Sequence, residues 1–201
     1  MAHLYFHFGT MGSGKSYDLY KVYRNYTDQN REVLVFVSDI DNRHGVGKVT
    51  SRSGSSLDAI TLYPSTDIFS IVHSAIPRPS CILVDEGQFL LPDQVIQFSN
   101  IVDTLNIPVI VYGLKNNSDN KLFHGSEFLL LYADKIEEIK TICMHCESKA
   151  TMVLRLDKNR DPVFDVPMIQ VGDASYEPVC RKCWRKAYSK WQEHLTTQPF
   201  V

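Results

Sequence analysis

A glycine-rich segment near the amino terminus has the residue types and the spacing of a phosphate-binding loop. Residues 9–16 match the pattern G-x-x-x-x-G-K-S/T without a gap, and they lie between a predicted strand and a predicted helix. Glycines let backbone N–H groups approach phosphate oxygens closely, and the start of the helix adds a positive partial charge. We expect Lys15 to reach the β- and γ-phosphates of a nucleoside triphosphate and the Ser16 hydroxyl to ligate Mg²⁺. The complete segment is Gly9, Thr10, Met11, Gly12, Ser13, Gly14, Lys15 and Ser16.

Two acidic residues follow an apolar run further along the chain. Ile-Leu-Val at residues 82–84 is followed by Asp85 and Glu86, which is the pattern of a Walker B element. In P-loop enzymes an acidic residue at this place holds Mg²⁺, and its neighbour can act as a base. A carboxylate base at Glu86 suits a hydroxyl acceptor, because the proton must move over a short distance. A solvated strand end is the alternative, and the P-loop makes the site interpretation stronger.

Four of the five cysteines form two C-x-x-C pairs. Cys143 and Cys146 make the first pair, and Cys180 and Cys183 make the second. Tetrahedral Zn²⁺ prefers four soft ligands, and each such turn presents two of them on one side. The pattern predicts a structural zinc site without an open coordination position. Redox-active dithiols and free core cysteines are the alternatives, and Cys81, on a predicted buried strand, is interpreted as a core residue.

Alternating strands and helices position these motifs. The predicted strands are at residues 5–8, 33–37, 81–84 and 108–112, and the predicted helices at 16–26, 66–76 and 92–105. Continuous apolar strands are typical of a sheet that is covered on both faces. Their alternation with helices predicts an α/β fold, a P-loop NTPase-like parallel sheet with helices on both faces.

A change of pattern near residue 136 predicts a second, smaller domain. Short strands, both cysteine pairs and a last helix follow this point. We therefore expect a nucleotide-binding domain over residues 1–135, a zinc-binding domain over 136–195 and a tail over 196–201. The polar segment 39–56 interrupts the first domain as a long loop, and loops of this length are usually functional or disordered.

The composition narrows the class of protein. The chain has 201 residues, of which 44% are hydrophobic and 22% charged, and its formal net charge is −2. A hydrophobic fraction of this size can form a buried core and excludes a disordered chain. A dedicated duplex-DNA binder would have an excess of basic residues, which this chain lacks. No run approaches the roughly 18 apolar residues of a membrane span, and the first residues lack the features of a signal peptide. We expect a cytoplasmic protein with no membrane partner.

Together the motifs resemble those of the type II, zinc-containing thymidine kinases. The resemblance extends from residue 4 to residue 188, almost the whole chain. It depends on the P-loop with Met11 inside it, Asp41-x-Arg43, Asp85-Glu86-Gly87-Gln88-Phe89, the turn at Leu114, both cysteine pairs and the segment 172–176. The segment 39–56 most resembles the bacterial and bacteriophage branch of this family.

This resemblance implies an activity and its residues. The implied reaction is ATP-dependent phosphorylation of the 5′-hydroxyl of thymidine, or of deoxyuridine, in pyrimidine salvage. Glu86 would take the proton from that hydroxyl, with Arg43 and Lys15 as further catalytic residues and with Mg²⁺ near Ser16. The segment of about residues 41–56 would act as a lid. Besides residues 9–16, the implied contacts to ATP and Mg²⁺ are Asp41, Asp85 and Gln88.

The resemblance also implies how the nucleoside is held. A lasso loop of about residues 169–176, pinned by the zinc site, would hydrogen-bond the base through backbone groups. The implied substrate contacts are Met11, Phe89, Leu114, Phe123, Ile169, Gly172, Asp173 and Tyr176. Members of the family are usually homotetramers inhibited by dTTP, so a second copy of the chain and dTTP are implied partners, whereas nucleic acid is not.

One position departs from the family, and two other functions stay open. Ser118 stands where the family commonly has an aromatic residue on the thymine ring, and such a contact can be worth roughly 1–3 kcal/mol. Without this aromatic contact, the protein would bind thymidine more weakly, would prefer another base, or would use a neighbour such as Phe123 for the same contact. The first alternative function is a P-loop ATPase or regulatory module whose zinc domain contacts nucleic acid or protein through basic residues such as Arg181 and Lys186. The second is a relative that binds nucleotide with little catalysis.

Overall fold

The structure is a computed structural model that describes residues 1–40, 47–50, 54, 56–165 and 175–197, with side chains of the last helix described to residue 194. These residues form two compact units. The first unit draws on Met1–Phe8, Gly14–Lys115 and Phe123–Ile139, and the second on Gly9–Ser13, Asn116–Leu122 and Lys140–Val201. The expected domain boundary after residue 135 falls within the first unit.

The first unit alternates strands and helices along the chain. Its elements are β1 (Leu4–Phe8), α1 (Lys15–Thr27), β2 (Val33–Ser38), β3 (Lys48–Thr50), β4 (Ser56–Asp58), β5 (Ile60–Leu62), α2 (Ile68–Ser74), β6 (Cys81–Asp85), a 3-10 turn (Gly87–Phe89), α3 (Pro92–Leu105), β7 (Val109–Gly113), α4 (His124–Tyr132) and β8 (Lys135–Glu138). Six strands form one sheet in the order β5-β2-β6-β7-β1-β8. Every neighbouring pair in it is parallel, which confirms the predicted parallel sheet.

Helices cover the sheet on both faces, as predicted. Successive residues of a strand point to opposite faces, and β6 shows this clearly. Ile82 and Val84 pack into a core cluster with residues of α2, α3 and α4. Cys81 and Leu83 pack into the other cluster, together with Leu19 of α1. These four apolar residues of β6 are completely buried, so the apolar run reflects a strand enclosed on both sides.

Glycines bring α4 against the 3-10 turn that follows β6. A Cβ atom at Gly125 would lie 2.4 Å from the carbonyl oxygen of Gly87 and 2.8 Å from that of Leu90. A Cβ atom at Gly87 would lie 2.2 Å from a methyl group of Val111 in β7. All three distances are shorter than real contacts, so this close approach requires glycine at both positions. The turn after β6 is therefore clamped between α4 and β7.

Replacing Gly125 with alanine should destabilise the first unit. The new methyl group meets backbone oxygens that cannot rotate away, and overpacking of this kind costs about 1–3 kcal/mol. We expect a lower melting temperature by calorimetry. Glu127→Ala is the control on the same helix, because Glu127 is exposed and surface substitutions usually stay within about 0.5 kcal/mol. Equal melting temperatures for both variants would contradict the clamp.

The second unit is a small sheet with one helix packed against it. Strands β9 (Met152–Leu156), β10 (Pro162–Val163) and β11 (Ser175–Val179) form an antiparallel sheet in the order β10-β9-β11. The helix α5 (Arg181–Thr197) follows directly. Its aromatic stripe surrounds Phe164, whose ring centroid lies 5.1–5.5 Å from those of Trp184, Tyr188 and Trp191. This unit therefore has its own aromatic core.

None of the helices in the described part of the chain is long and apolar enough to cross a membrane.

Candidate active site and metal centre

The glycine-rich segment occupies the turn between β1 and α1. Gly12 and Gly14 have φ values of 76° and 89°, a left-handed backbone that glycine adopts without steric cost. The first turn of α1 begins with a hydrogen bond from the Asp18 N–H to the Gly14 carbonyl, 2.9 Å long. The amino-terminal end of α1 therefore follows the loop directly, which is the arrangement that favours bound phosphate.

Asp85 lies at the carboxyl end of β6 and contacts the start of α1. Its side chain is 5% exposed, and the Ser16 hydroxyl donates to its Oδ2 at 3.1 Å. Its Oδ1 accepts the Glu86 N–H at 2.9 Å. Burial, with the neighbouring Glu86 carboxylate, raises the pKa of Asp85 to about 7, against the lowering effects of that N–H, Lys15 and Ser16. A cation at this place would stabilise the ionised carboxylate.

Glu86 has an unusual backbone conformation. Its φ and ψ are 52° and 40°, in the left-handed region that few residues other than glycine adopt. Strained residues of this kind cost about 1–3 kcal/mol and cluster at functional sites. Glu86 is partly exposed, and its carboxylate accepts a hydrogen bond from the side-chain amide of Gln88. The turn thus presents a carboxylate beside Asp85.

The four paired cysteines come together in the second unit. Their sulfur atoms all lie within 4.8 Å of one another. The Cys146 sulfur lies 3.7 Å from that of Cys180 and 3.8 Å from that of Cys183. Four sulfurs at 2.3 Å from a tetrahedral Zn²⁺ would be separated by about 3.8 Å. Two of the sulfur–sulfur distances match this value, so the cluster could hold zinc.

Backbone groups hold the two cysteine turns in place. The N–H of His145 lies 3.4 Å from the Cys143 sulfur, and that of Cys183 lies 3.5 Å from the Cys180 sulfur. The Met144 N–H donates to the Pro178 carbonyl at 2.9 Å, which ties the first turn to β11. Hydrogen bonds around the ligands of a metal fix the orientation of those ligands. These backbone contacts therefore hold the cysteine side chains in place.

The model of the thymidine kinase family matches residues 2–184. The chain belongs to the thymidine kinase family. Curated thymidine kinases from three bacteria illustrate the similarity. The enzyme of Listeria monocytogenes serotype 4b is 52% identical, over 91% of this chain and 96% of its own length. The enzyme of Shouchella clausii is 50% identical, over 91% of this chain and 96% of its own length. The enzyme of Lactococcus lactis subsp. lactis is 48% identical, over 92% of this chain and 98% of its own length. Among solved structures, the Legionella pneumophila ATPase DotB matches 98% of this chain and 53% of its own at 14% identity, with a TM-score of 0.39.

Two of the predicted substrate residues of this thymidine kinase family member meet in the first unit. Phe89, in the 3-10 turn, and Phe123, before α4, make an edge-to-face contact with ring centroids 5.8 Å apart. Phe123 is 5% exposed and Phe89 is partly exposed. Leu114, the first residue after β7, donates its N–H to the Gln88 side chain. These three residues therefore lie around the turn that carries Glu86.

The other predicted contacts lie elsewhere. Met11 and Tyr176 belong to the second unit, where Tyr176 is in β11 opposite Arg155 of β9. Several predicted residues lie outside the described residues, so their roles stay predictions. These are Asp41, Arg43, Ile169, Gly172 and Asp173. Most of the expected lid lies outside them as well.

The polar loop after β7 is ordered by contacts that the sequence did not indicate. The Asn117 N–H donates to the Lys121 carbonyl at 2.9 Å, and the Lys121 N–H donates back to the Asn117 side chain at 2.8 Å. Ser118 is 8% exposed, and its carbonyl accepts the indole N–H of Trp184 at 2.8 Å. Trp184 follows Cys183 of the cysteine cluster, so Trp184 links the second cysteine turn to this loop.

Replacing Trp184 with phenylalanine should loosen this loop. The substitution keeps an aromatic ring in the stripe and removes the indole donor, and an unsatisfied buried acceptor costs about 1–3 kcal/mol. We expect faster hydrogen exchange at the amides of residues 116–122. Trp191→Phe is the matched control, since Trp191 packs on the same Phe164 ring. Unchanged exchange in the Trp184 variant would contradict the role of this hydrogen bond.

Proposed function

We propose that the protein transfers the γ-phosphoryl group of ATP to the 5′-hydroxyl of thymidine, or of deoxyuridine. The observation that carries the proposal is the contact between Ser16, at the start of the P-loop helix, and Asp85, with the carboxylate of Glu86 on the next residue. Relatives named thymidine kinase, 48–52% identical over about nine tenths of the chain, support the nucleoside as acceptor. They do not favour a P-loop ATPase or regulatory module.

Separate groups of residues bind the triphosphate, hold Mg²⁺ and accept the proton in the proposed reaction. The loop 9–16 binds the triphosphate, with the Lys15 ammonium on the β- and γ-phosphates. Ser16 and Asp85 would hold Mg²⁺, which, when bound, neutralises charge on the phosphates. The nucleoside 5′-oxygen forms its bond to the γ-phosphorus while the bond to the β–γ bridging oxygen breaks. Glu86 accepts the hydroxyl proton, and ADP leaves with the bridging oxygen.

Further parts of the proposal rest on the resemblance. Phe89, Leu114 and Phe123 would enclose the base, and the edge-to-face pair of phenylalanines offers an apolar surface for it. Met11 and the lasso residues Ile169, Gly172, Asp173 and Tyr176 would complete the enclosure. Asp41 and Arg43 would lie at the phosphates under a lid of about residues 41–56, and Gln88 would contact ATP or Mg²⁺.

The remaining proposals concern the metal and the assembly. Cys143, Cys146, Cys180 and Cys183 would hold a structural Zn²⁺, because four thiolates leave no open position for catalysis. We propose a homotetramer in the cytoplasm that is inhibited by dTTP. Sedimentation analysis and inhibition kinetics test these statements.

A direct assay tests the proposed activity. The purified protein is incubated with ATP, Mg²⁺ and thymidine, and dTMP and ADP are separated and quantified. Equal amounts of both products are expected, with deoxyuridine as the comparison acceptor. ATP hydrolysis that responds to DNA but not to any nucleoside would refute the proposal.

A further inference from the structure

We propose that Tyr112 is a positioning residue for ATP, and that it acts through a hydrogen bond to Asp18 which fixes the first turn of α1. This turn carries Lys15 and Ser16, which are the residues proposed to meet the phosphates and Mg²⁺. The inference rests on the proposed function and adds a residue that works from within the core, since Tyr112 is completely buried.

The hydrogen bond joins the P-loop helix to the strand between the two phosphate-site motifs. Tyr112 belongs to β7, which lies between β6 and β1 in the sheet. These two strands lead to the acidic pair and to the glycine loop. The Tyr112 hydroxyl donates to Oδ2 of Asp18 at 3.0 Å, and Asp18 is in the first turn of α1. The start of the helix is therefore tied to the sheet at the place where both motifs end.

Further contacts hold this hydrogen bond in one orientation. The Lys21 ammonium lies 2.7 Å from Oδ1 of Asp18, so both carboxylate oxygens are engaged. Nδ1 of His7, in β1, lies 3.7 Å from Oδ2 of Asp18. The His7 ring also packs edge to face on the Tyr112 ring, with centroids 5.2 Å apart. The donor and the acceptor are thus both supported by neighbouring side chains.

The apolar contacts of α1 do not define its position by themselves. The helix packs on the sheet through one fully buried side chain and three partly buried ones, and apolar attraction has no preferred direction. A hydrogen bond, by contrast, weakens steeply when its distance or angle changes. The Tyr112–Asp18 contact therefore resists small rotations of the helix that the apolar contacts would permit. The apolar residues are Leu19, Val22, Tyr23 and Tyr26.

The position of α1 matters because Ser16 must meet Asp85. The Ser16 hydroxyl lies 3.1 Å from Oδ2 of Asp85, and Asp18 is only two residues further along the same turn. A rotation of this turn would separate Ser16 from Asp85 and would move the Lys15 side chain as well. Tyr112 therefore supports the residues that are proposed to bind ATP with Mg²⁺.

A role in the helix dipole alone does not explain Asp18. Acidic residues are common in a first helical turn because they interact favourably with the dipole, and this interaction needs no partner from the sheet. In α1, however, the same end of the helix is the proposed phosphate site, where an unpaired carboxylate would repel phosphate. The contacts with Lys21 and Tyr112 reduce this repulsion, so we interpret Asp18 as the anchor of the helix.

The experiment compares ATP binding by Tyr112→Phe and wild type, using calorimetry in the presence of Mg²⁺. Phenylalanine keeps the ring on His7 and removes only the hydroxyl. Because small displacements of binding groups have large effects, we expect the ATP dissociation constant to rise about 5- to 20-fold. The KM for thymidine should stay within about twofold. An unchanged ATP dissociation constant would overturn the inference, and so would an equal loss of affinity for both substrates, which indicates general structural damage.

Asp18→Asn separates the hydrogen bond from the charge. An asparagine side chain can still bond to the Tyr112 hydroxyl but cannot form an ion pair with Lys21. We expect its ATP dissociation constant to be at most about twice that of wild type. A rise as large as that in Tyr112→Phe would overturn the inference, because the charge and not the anchor would then determine affinity.

A second comparison covers the case in which Tyr112→Phe does not fold. Asp18→Ala and Asp18→Asn both lack the charge, and only asparagine keeps the hydrogen bond. Asp18→Ala should therefore bind ATP about 5- to 20-fold more weakly than Asp18→Asn. Equal affinities of these two variants would contradict the proposed role of Tyr112.

Tyr23→Phe is the matched control for loss of a tyrosine hydroxyl. Tyr23 is on α1 and packs on the same side of the sheet, and its replacement should leave the ATP dissociation constant unchanged. The two proposals fail separately. If wild type binds ATP but forms no dTMP, the proposed function fails and the binding comparison still tests Tyr112. If wild type forms dTMP and Tyr112→Phe binds ATP equally well, only this inference fails.

Discussion

Glu86→Gln is expected to lower kcat for dTMP formation by about 10²- to 10⁴-fold, the usual contribution of a general base. Glutamine has nearly the same shape but cannot accept the proton of the 5′-hydroxyl. Asp85, Ser16 and Lys15 remain, so the protein should still bind ATP. Product formation under single-turnover conditions gives the rate, and calorimetry gives the ATP dissociation constant.

The control for this variant is Glu127→Gln. Glu127 is an exposed carboxylate on α4, and its replacement should leave kcat unchanged. Undiminished turnover in Glu86→Gln would remove Glu86 from the role of base. Loss of ATP binding together with turnover would instead indicate that the carboxylate supports the nucleotide site.

Removal of zinc is expected to unfold the second unit. Structural zinc contributes folding free energy directly, about 10–16 kcal/mol in zinc-finger peptides at pH 7. Without the metal, the second unit would depend on a core made of only a small sheet and one helix. Cys143 and Cys180 belong to the core cluster with Leu154 and Val179. We expect Cys180→Ser to contain less than one zinc per chain.

Tryptophan fluorescence reports on the unfolding of the second unit alone. The chain has two tryptophans, and both, Trp184 and Trp191, are in α5. A red shift of the emission should therefore accompany zinc loss in Cys180→Ser. Cys81→Ala is the control, because Cys81 is a buried cysteine of the first unit, and this variant should keep its zinc. Zinc loss without a change in emission would contradict a structural role.

Local patterns carried most of what could be predicted. The P-loop, the acidic pair after β6 and each cysteine pair are short motifs whose own residues lie close together in the sequence, so each motif can be recognised without knowledge of the fold. Strand–helix alternation leaves few arrangements for the sheet, so its parallel order was accessible too. The structure bears out the sheet and the clustering of the cysteines, while the roles of the site residues stay predictions.

Contacts between distant parts of the chain that no motif connects could not be predicted. Trp184 and Ser118 are 66 residues apart, and Gln88 and Leu114 are 26 apart, with no periodicity to link them. The left-handed conformation of Glu86 has no sequence signal either, because glutamate rarely adopts it. Such features depend on packing that only the assembled fold determines.

The backbone at Glu86 also affects how this protein tolerates engineering. At a positive φ, glycine relieves a steric penalty that every side chain with a Cβ atom carries. Selection of variants for thermal stability alone would therefore favour glycine at this position. Such a selection would remove the proposed base, and a stability measurement would not detect the loss of activity. Libraries designed to increase the stability of the protein should therefore leave Glu86 unchanged.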